Sequence, residues 1–470
     1  MGLRQQVMRG GAFLAARQVI GMVVSTVGML LLTRQIGPHN YGLFIATVGV
    51  FTYFNFVAQV GLDVYLIRRE GPTDDRDHHV AFTLLLGLGA AAAALGFLGA
   101  PLLERWADAD GIAPLVRAMF AGMPLGLLAL VASARMERAL DYRRLAMIEL
   151  TNVLVMQAVT LSAAYSGMGA WSPVIGWWAQ QLVAFVLLFA LSGYRPRLLW
   201  DAARARLMLS YGLGYAASMW IWQARSLVNS LVVLPWTDAT TVGYVGIASK
   251  FVEVLSFVKT TAWRLSLAAL GRLNGDLART VAAINEGMRL QILALGPMLA
   301  GFAVFAPYVL PLAFAGRWPQ WAPSLEIYPY IAAGMLVNAL FSLHSSALFV
   351  LRRNLLVATF HCAHVLLFFA AATWFVPRVG MIGVGYAELV AMASYVLIHL
   401  YAVRVLGRSP DYTVAAVWGV AVGLLLFVHQ LGWYAWLGVA AAALWPRTWQ
   451  TLDGFLRMFR PVRPAEVSHA

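Results

Sequence analysis

Phe82-Thr83-Leu84-Leu85-Leu86-Gly87-Leu88-Gly89-Ala90-Ala91-Ala92-Ala93-Ala94-Leu95-Gly96-Phe97-Leu98-Gly99-Ala100-Pro101-Leu102-Leu103 contains no charged side chain. A helix needs about 20 apolar residues to cross about 30 Å of hydrocarbon, and this stretch meets that length. It also lacks the alternation of apolar and polar residues that a barrel strand shows. Lipid leaves no backbone group unpaired, so a span is either a helix or part of a closed barrel. The pattern selects the helix.

Working outward, the same ruler finds such runs along the whole chain. The 470 residues are 61% hydrophobic and 12% charged, with a mean hydropathy of +0.73, which is too little charge to cover a soluble protein of this size. The fold class expected is an all-α polytopic membrane protein. Fourteen spans are read at 12–34, 41–62, 80–103, 113–133, 145–166, 174–193, 207–235, 241–268, 289–311, 324–350, 355–376, 380–402, 412–430 and 432–448. The last two meet at Gly432 and are expected to form a tight helical hairpin, with Gly419 and Gly423 of span 13 packing on span 14.

Charge placement supplies a test independent of hydropathy, because Lys and Arg collect in cytoplasmic loops. Loops on the side of the N-terminus hold 23 arginines, whereas the opposite loops hold only four, Arg34, Arg105, Arg317 and Arg378. One missed span would reverse the bias downstream. Its persistence to the end implies an even number of spans and two cytoplasmic termini. The formal charge of +13 is therefore mainly a topology signal, with attraction to anionic lipid headgroups as a secondary effect, and no nucleic-acid partner is needed. The first apolar run is too long for a signal peptide and lacks a small-residue cleavage site, and Gln6 stands where a myristoylation motif wants Ser or Thr. Cys362 is the only cysteine, and its apolar surroundings suggest a packing residue.

An internal repeat is visible around Gly10-Gly11 and Tyr41-Gly42-Leu43-Phe44, echoed by Tyr211-Gly212 and Val242-Gly243-Tyr244-Val245. Both copies begin on the cytoplasmic side, so spans 1–6 and 7–12 would be parallel repeats. Arg34-Gln35-Ile36-Gly37-Pro38-His39-Asn40-Tyr41-Gly42-Leu43-Phe44, followed by Gly61-Leu62 and Arg68-Arg69, resembles the first outer loop and second span of the polysaccharide-repeat-unit flippases. These belong to the multidrug/oligosaccharidyl-lipid/polysaccharide exporter superfamily. The resemblance implies two six-helix lobes and an extra helix pair, opening alternately to each side. The divisions would be 1–206, 207–408 and 409–470. It also implies a bacterial inner-membrane location, a polyprenyl-diphosphate-linked oligosaccharide as substrate, and polysaccharide polymerase and glycosyltransferases as working partners. Gly37-Pro38 makes a sharp turn, and Tyr41 suits the interface.

Charges inside the spans point to a site, since one at mid-bilayer costs upward of ~2.5 kcal/mol. Arg225 lies near the centre of span 7, within Trp220-Ile221-Trp222-Gln223-Ala224-Arg225-Ser226, and must face water or an anion or else pair with an intramembrane acid. In span 8, Lys250 and Glu253 stand about 60° apart and can pair, with Lys259 nearly opposite. Arg17 and Lys259 either reach headgroups or face a cavity. Arg117, Arg264 and Arg289 lie close enough to span ends to snorkel. Arg17, Arg225, Lys250, Glu253 and Lys259 are the candidate substrate-binding set.

Glu388 in span 12 can bind a proton, pair with a cation, or contact sugar hydroxyls. His361 and His364, grouped with His344 by span order, are either packing residues or groups able to titrate. Together with Glu388 they are the candidates for proton or ion coupling. Trp171, Trp236, Trp318 and Trp321 read as interface anchors.

The reading that follows is a flippase working by alternating access through a cationic cavity. A multidrug exporter of the same superfamily would want acids around its site, whereas here cations outnumber acids inside the spans. A membrane-embedded glycosyltransferase or polymerase should carry a large outer loop or a nucleotide-sugar domain, and every outer loop is short. No Walker A, HExxH, metal-spaced Cys/His set or dinucleotide loop occurs, so no enzyme activity, metal or cofactor is expected.

Overall fold

The computed structural model describes residues 3–68, 74–257, 259, 270–273 and 276–458. Arg69 and Arg264 lie outside the described residues, as do the side chains of Arg4 and Arg9. All described elements are helical. In order they are α1 (Leu3–Gln59), α2 (Leu62–Arg68), α3 (Asp75–Ala107), α4 (Ile112–Ala121), α5 (Met123–Arg138), α6 (Tyr142–Tyr165) and α7 (Trp171–Leu191). Next come α8 (Ala202–Gln223), α9 (Leu234–Trp236), α10 (Ala239–Leu255), α11 (Leu277–Phe314), α12 (Ser324–Val350) and α13 (Asn354–Val379). The series ends with α14 (Ile382–Ala391), α15 (Tyr395–Leu406), α16 (Thr413–Leu426), α17 (Val428–Leu431), α18 (Trp436–Leu444) and α19 (Pro446–Met458). Among the described residues nine helices are long and apolar enough to cross a bilayer, or ten if the bent pair over 413–444 is one span.

The first two expected spans are two helical segments that meet at Gly37, within the range given as α1. At Gly37 the backbone turns to φ 76°, ψ 170° and helical geometry resumes at once. Only glycine takes such a conformation without strain, and Pro38 suits the first turn of the second half because its missing N–H would be unpaired there anyway. The expected sharp turn is this break at Gly37.

Span 7 departs from a plain helix. After α8 come a 3-10 turn (Ala224–Leu227), a π-helical turn (Asn229–Val233) and α9. Pro235 cannot donate to the carbonyl four residues earlier and its ring crowds that group. That carbonyl is Leu231, and the indole Nε1 of Trp106 donates to it at 3.1 Å. Two serine hydroxyls in the same stretch bond to α1, Ser226 to the Gly49 carbonyl at 2.9 Å and Ser230 to the Ala46 carbonyl at 2.5 Å.

Helices α1 and α10 meet backbone to backbone at equivalent positions of the internal repeat. A Cβ on Gly42 would lie 1.6 Å from the Ala239 carbonyl oxygen, and one on Gly243 would lie 2.3 Å from that of Pro38. The contact is reciprocal. Trp321 sits against both copies, 5.8 Å from the Tyr41 ring and 6.3 Å from the Tyr244 ring. It is fully buried, so it is a packing residue and not an interface anchor. Trp171 and Trp236 are exposed, as an anchor is.

The chain gathers into two compact units. The first comprises Met1–Val254, Tyr308–Ile331 and Arg353–Leu397, and the second Leu255–Pro307, Ala332–Arg352 and Ile398–Ala470. In the first, α6 packs along α7, and Ala132, Leu145, Ile148 and Leu188 form a local core. In the second, Ile284, Met288, Ile292, Leu343 and Trp418 pack together. There α16 and the following segment bend by 72° at their break, and α16 packs on α18. The close approach is Gly438 on Ala421, where an added Cβ would lie 2.9 Å from the Ala421 Cα. Gly419 and Gly423 have open space around them, so they do not make the expected contact. Cys362 is exposed and not packed.

Candidate functional site

The first unit contains a charged cluster built from span 7 and the helices of spans 11 and 12. Asp201 caps α8, accepting from the amides of Ala203 and Arg204, and the helix carries its register to the 3-10 turn that holds Arg225. Arg225 donates from Nη2 to Oε1 of Glu388 on α14, and its Nη1 meets Nε2 of His364 on α13. The guanidinium lies over two rings, 5.2 Å from Trp222 and 4.6 Å from Phe368. Glu388 and His364 are buried, while about a quarter of the Arg225 side chain is accessible. An isolated charge this deep is too costly to persist, and a hydrogen-bonded pair is the form in which it survives.

The histidine's role follows from its other nitrogen. Nδ1 of His364 lies 2.9 Å from Oγ of Ser394, and the Ser394 hydroxyl donates to the Ala391 carbonyl at 2.7 Å. With its only proton committed, the serine accepts from Nδ1–H. That leaves a lone pair on Nε2, which accepts from Arg225. The chain of donors thus runs from Arg225 through His364 and Ser394 to the end of α14, where the helix passes into a 3-10 turn at Met392–Ser394. His361, one turn away on α13, has its ring 5.0 Å from that of Trp222.

Other candidates have partners of their own. Lys250 pairs with Glu253 at 2.9 Å, with 39% and 69% of their side chains exposed. Their helix, α10, otherwise buries Val242, Val245, Ile247, Ala248, Phe251 and Val252. Arg17 Nε lies 3.0 Å from Oε2 of Glu149. In the second unit, Nζ of Lys259 donates to Oδ1 of Asn338 and approaches the Met335 sulfur at 3.5 Å.

His344 has hydrogen-bonding partners of its own. It is fully buried in the second unit, where its Nε2 lies 2.6 Å from the Tyr412 hydroxyl, and Nδ1 of His399 shares that oxygen at 2.8 Å. Sequence reasoning missed Ser394, Asn338 and Tyr412. Asn338 is one polar group in an apolar helix and Ser394 one in a 3-10 turn, a signal carried by many residues that only bond their own backbone, and Tyr412 stands just before α16.

Residues 31–323 match the polysaccharide biosynthesis protein family. The lipopolysaccharide biosynthesis protein WzxC of Escherichia coli (strain K12) is 23% identical over 338 residues, covering 70% of this chain and 67% of WzxC. The succinoglycan biosynthesis transport protein ExoT of Rhizobium meliloti (strain 1021) is 22% identical over 325 residues, covering 68% of this chain and 64% of ExoT. Each alignment thus spans about two thirds of the relative's own length. Among solved structures, the lipid II flippase MurJ in an inward closed conformation has a TM-score of 0.68 at 13% identity, covering 94% of this chain and 99% of that one. An inward-facing multidrug resistance transporter of the MATE family scores 0.62 at 14% identity, covering 84% and 98%. At such identities the likeness establishes the fold, and the similar proteins are transporters, not enzymes. The match over most of the chain, on an all-helical multi-span fold shared with MurJ and MATE, places this protein in the polysaccharide biosynthesis family of membrane transporters.

Proposed function

We propose that the protein is a flippase that carries a polyprenyl-diphosphate-linked oligosaccharide from the cytoplasmic to the outer leaflet by alternating access. The observation that carries this reading is the exposed Lys250–Glu253 pair on a helix otherwise packed against protein. A charged pair left open within a membrane-crossing segment faces water, as the lining of a polar cleft does. Arg17, Arg225, Lys250 and Glu253, all of the first unit, would contact the diphosphate and sugars. Glu149 and Glu388, beside Arg17 and Arg225, would balance these cations and give them up to phosphate.

Glu388 and His364, with His361 beside them, would couple passage to proton or ion movement, since releasing Arg225 requires a charge change on its partners. The hydrocarbon tail needs a dry surface. In the second unit Ile292, Pro297, Trp418, Val422, Ala442 and Leu452 line a nearly wholly apolar cavity of about 370 Å³, which suits an isoprenoid chain.

The same reading puts the protein in a bacterial inner membrane with both termini cytoplasmic and fourteen crossings. These are two in α1, the broken helix from α8 to α9, the one begun by α10, a hairpin of α16 and α18, and the remaining long helices. The lobes would divide at 206 and 408. Polysaccharide polymerase and glycosyltransferases would supply and consume the cargo.

Expression in a strain lacking its own repeat-unit flippase tests the function. Restored surface polymer and loss of the accumulated lipid-linked repeat unit are expected. Unchanged accumulation at normal membrane levels of the protein, with gain of resistance to organic cations, would favour a multidrug exporter instead.

A further inference from the structure

Between α7 and α8 the chain runs without regular secondary structure, and it is pinned at three points. Tyr194 is buried, its ring stacked 5.5 Å from that of His79 and its hydroxyl 3.1 Å from His79 Nδ1. The Leu199 amide donates to Oγ1 of Thr83 on α3 at 3.0 Å. Asp201 caps α8, and Arg204 is tied to Asp74 at 2.8 Å and to Asp77 at 2.6 Å. A segment this well anchored holds its exposed side chains in place.

Its exposed side chains are of two kinds that are poorly matched to water together. Leu198 is 71% exposed and Trp200 65% exposed, with Leu207 exposed on the first turns of α8. Interleaved with them are exposed Arg195, Arg197 and Arg206, none of which makes an ion pair or hydrogen bond among the described residues. The nearby acids are committed elsewhere, Asp201 to the α8 cap and Asp74 and Asp77 to Arg204. The segment begins where a membrane-crossing helix, α7, ends at Leu191. It therefore lies where headgroups meet hydrocarbon, a depth that suits tryptophan. Guanidinium groups bind phosphate by paired hydrogen bonds, and a basic segment at that depth is drawn to an anionic leaflet.

We propose that residues 194–207 form a docking site for anionic phospholipid headgroups of the leaflet at which α7 ends. Arg195, Arg197 and Arg206 take the headgroup phosphates, and Leu198 and Trp200 enter the acyl boundary. The site commits to bilayer lipid and not to the transported cargo, because its arginines are exposed along the loop and the first turns of α8, at the end of a membrane-crossing helix. It fixes α7 and the start of α8 at one depth in the membrane, independently of what the protein transports.

The test uses the whole chain with Cys362→Ser and Leu198→Cys, labelled with an environment-sensitive fluorophore in nanodiscs. A doxyl quencher is carried either on phosphatidylglycerol or on phosphatidylcholine at equal mole fraction. Quenching several-fold stronger from phosphatidylglycerol is expected, falling to parity in the Arg195→Gln/Arg197→Gln/Arg206→Gln variant. Equal quenching from the two lipids with the arginines intact would overturn the proposal, as would a label quenched by aqueous iodide and by neither lipid. The comparison with intact arginines decides the matter even if the triple variant fails to fold.

Discussion

The guanidinium of Arg225 and the carboxylate of Glu388 are bonded to each other inside the first unit, joining the 3-10 turn after α8 to α14. Removing one partner strands the other in a dry environment at a cost of about 3–5 kcal/mol. Partial exposure of Arg225 places the expected loss toward the lower figure. Glu388→Ala should therefore lower the thermal midpoint in detergent more than Glu388→Gln, which keeps an acceptor for Arg225. If the pair works in transport, Glu388→Gln should also lower export while membrane levels stay near normal. Export equal to wild type at every pH tested would confine Glu388 to structure.

Lys250 and Glu253 allow a cleaner separation of fold from function. Exposed pairs contribute about 0–1 kcal/mol, so Lys250→Ala and Glu253→Gln should leave the melting temperature almost unchanged. Complementation of a flippase-deficient strain should nevertheless fail with Lys250→Ala. Full complementation at matched protein level would remove this pair from the substrate path.

Gly37 bears on the path of the whole first helix. Its backbone conformation is reserved for glycine, and forcing a side chain into it costs on the order of 1–3 kcal/mol. Gly37→Ala should lower thermal stability by that amount with no change in membrane insertion, as read by protease protection.

Asp411 supplies a pH dependence outside the membrane-crossing segments. The hydroxyl and amide of Thr413 both donate to it and Arg289 sits 3.0 Å away, together holding its carboxyl below the usual carboxylate range against some desolvation. A folded-state value below the unfolded one means that the unfolded chain binds more protons in acid. The stabilisation is present above the unfolded value of about 3.9 and is lost as pH falls through the folded one. Between about pH 5 and pH 3 the wild-type midpoint should fall more steeply than that of Asp411→Asn. Parallel slopes would show that other carboxylates dominate the acid response.

What could be read from the chain divides by range. The membrane class follows from hydropathy, because lipid tolerates few alternatives to helix. The Lys250–Glu253 pair follows from spacing, because residues three apart share a helix face. Arg225 and Glu388 stood out singly as charges in apolar runs, yet 163 residues separate them, and helical phase names a face without naming its neighbour. The sharp break at Gly37 is legible in the Gly37-Pro38 pair. The break in span 7 had a signal in Pro235, but only the fold shows that Trp106 takes up the freed carbonyl. Trp321 illustrates the limit of composition, since a tryptophan at a span end serves equally well at an interface or between two tyrosines.

The facing glycines of α1 and α10 carry a consequence for how the sequence can drift. Gly42 and Gly243 share a single helix-to-helix spacing, so a side chain at either position would push the same two backbones apart. Once that separation has happened, a side chain at the other position meets little resistance. Energies of the two alanine substitutions should then fall well short of additivity, as expected for residues that share a contact. Over many generations the pair should behave as one character, with both glycines kept or both replaced, and chains holding only one of them should be rare.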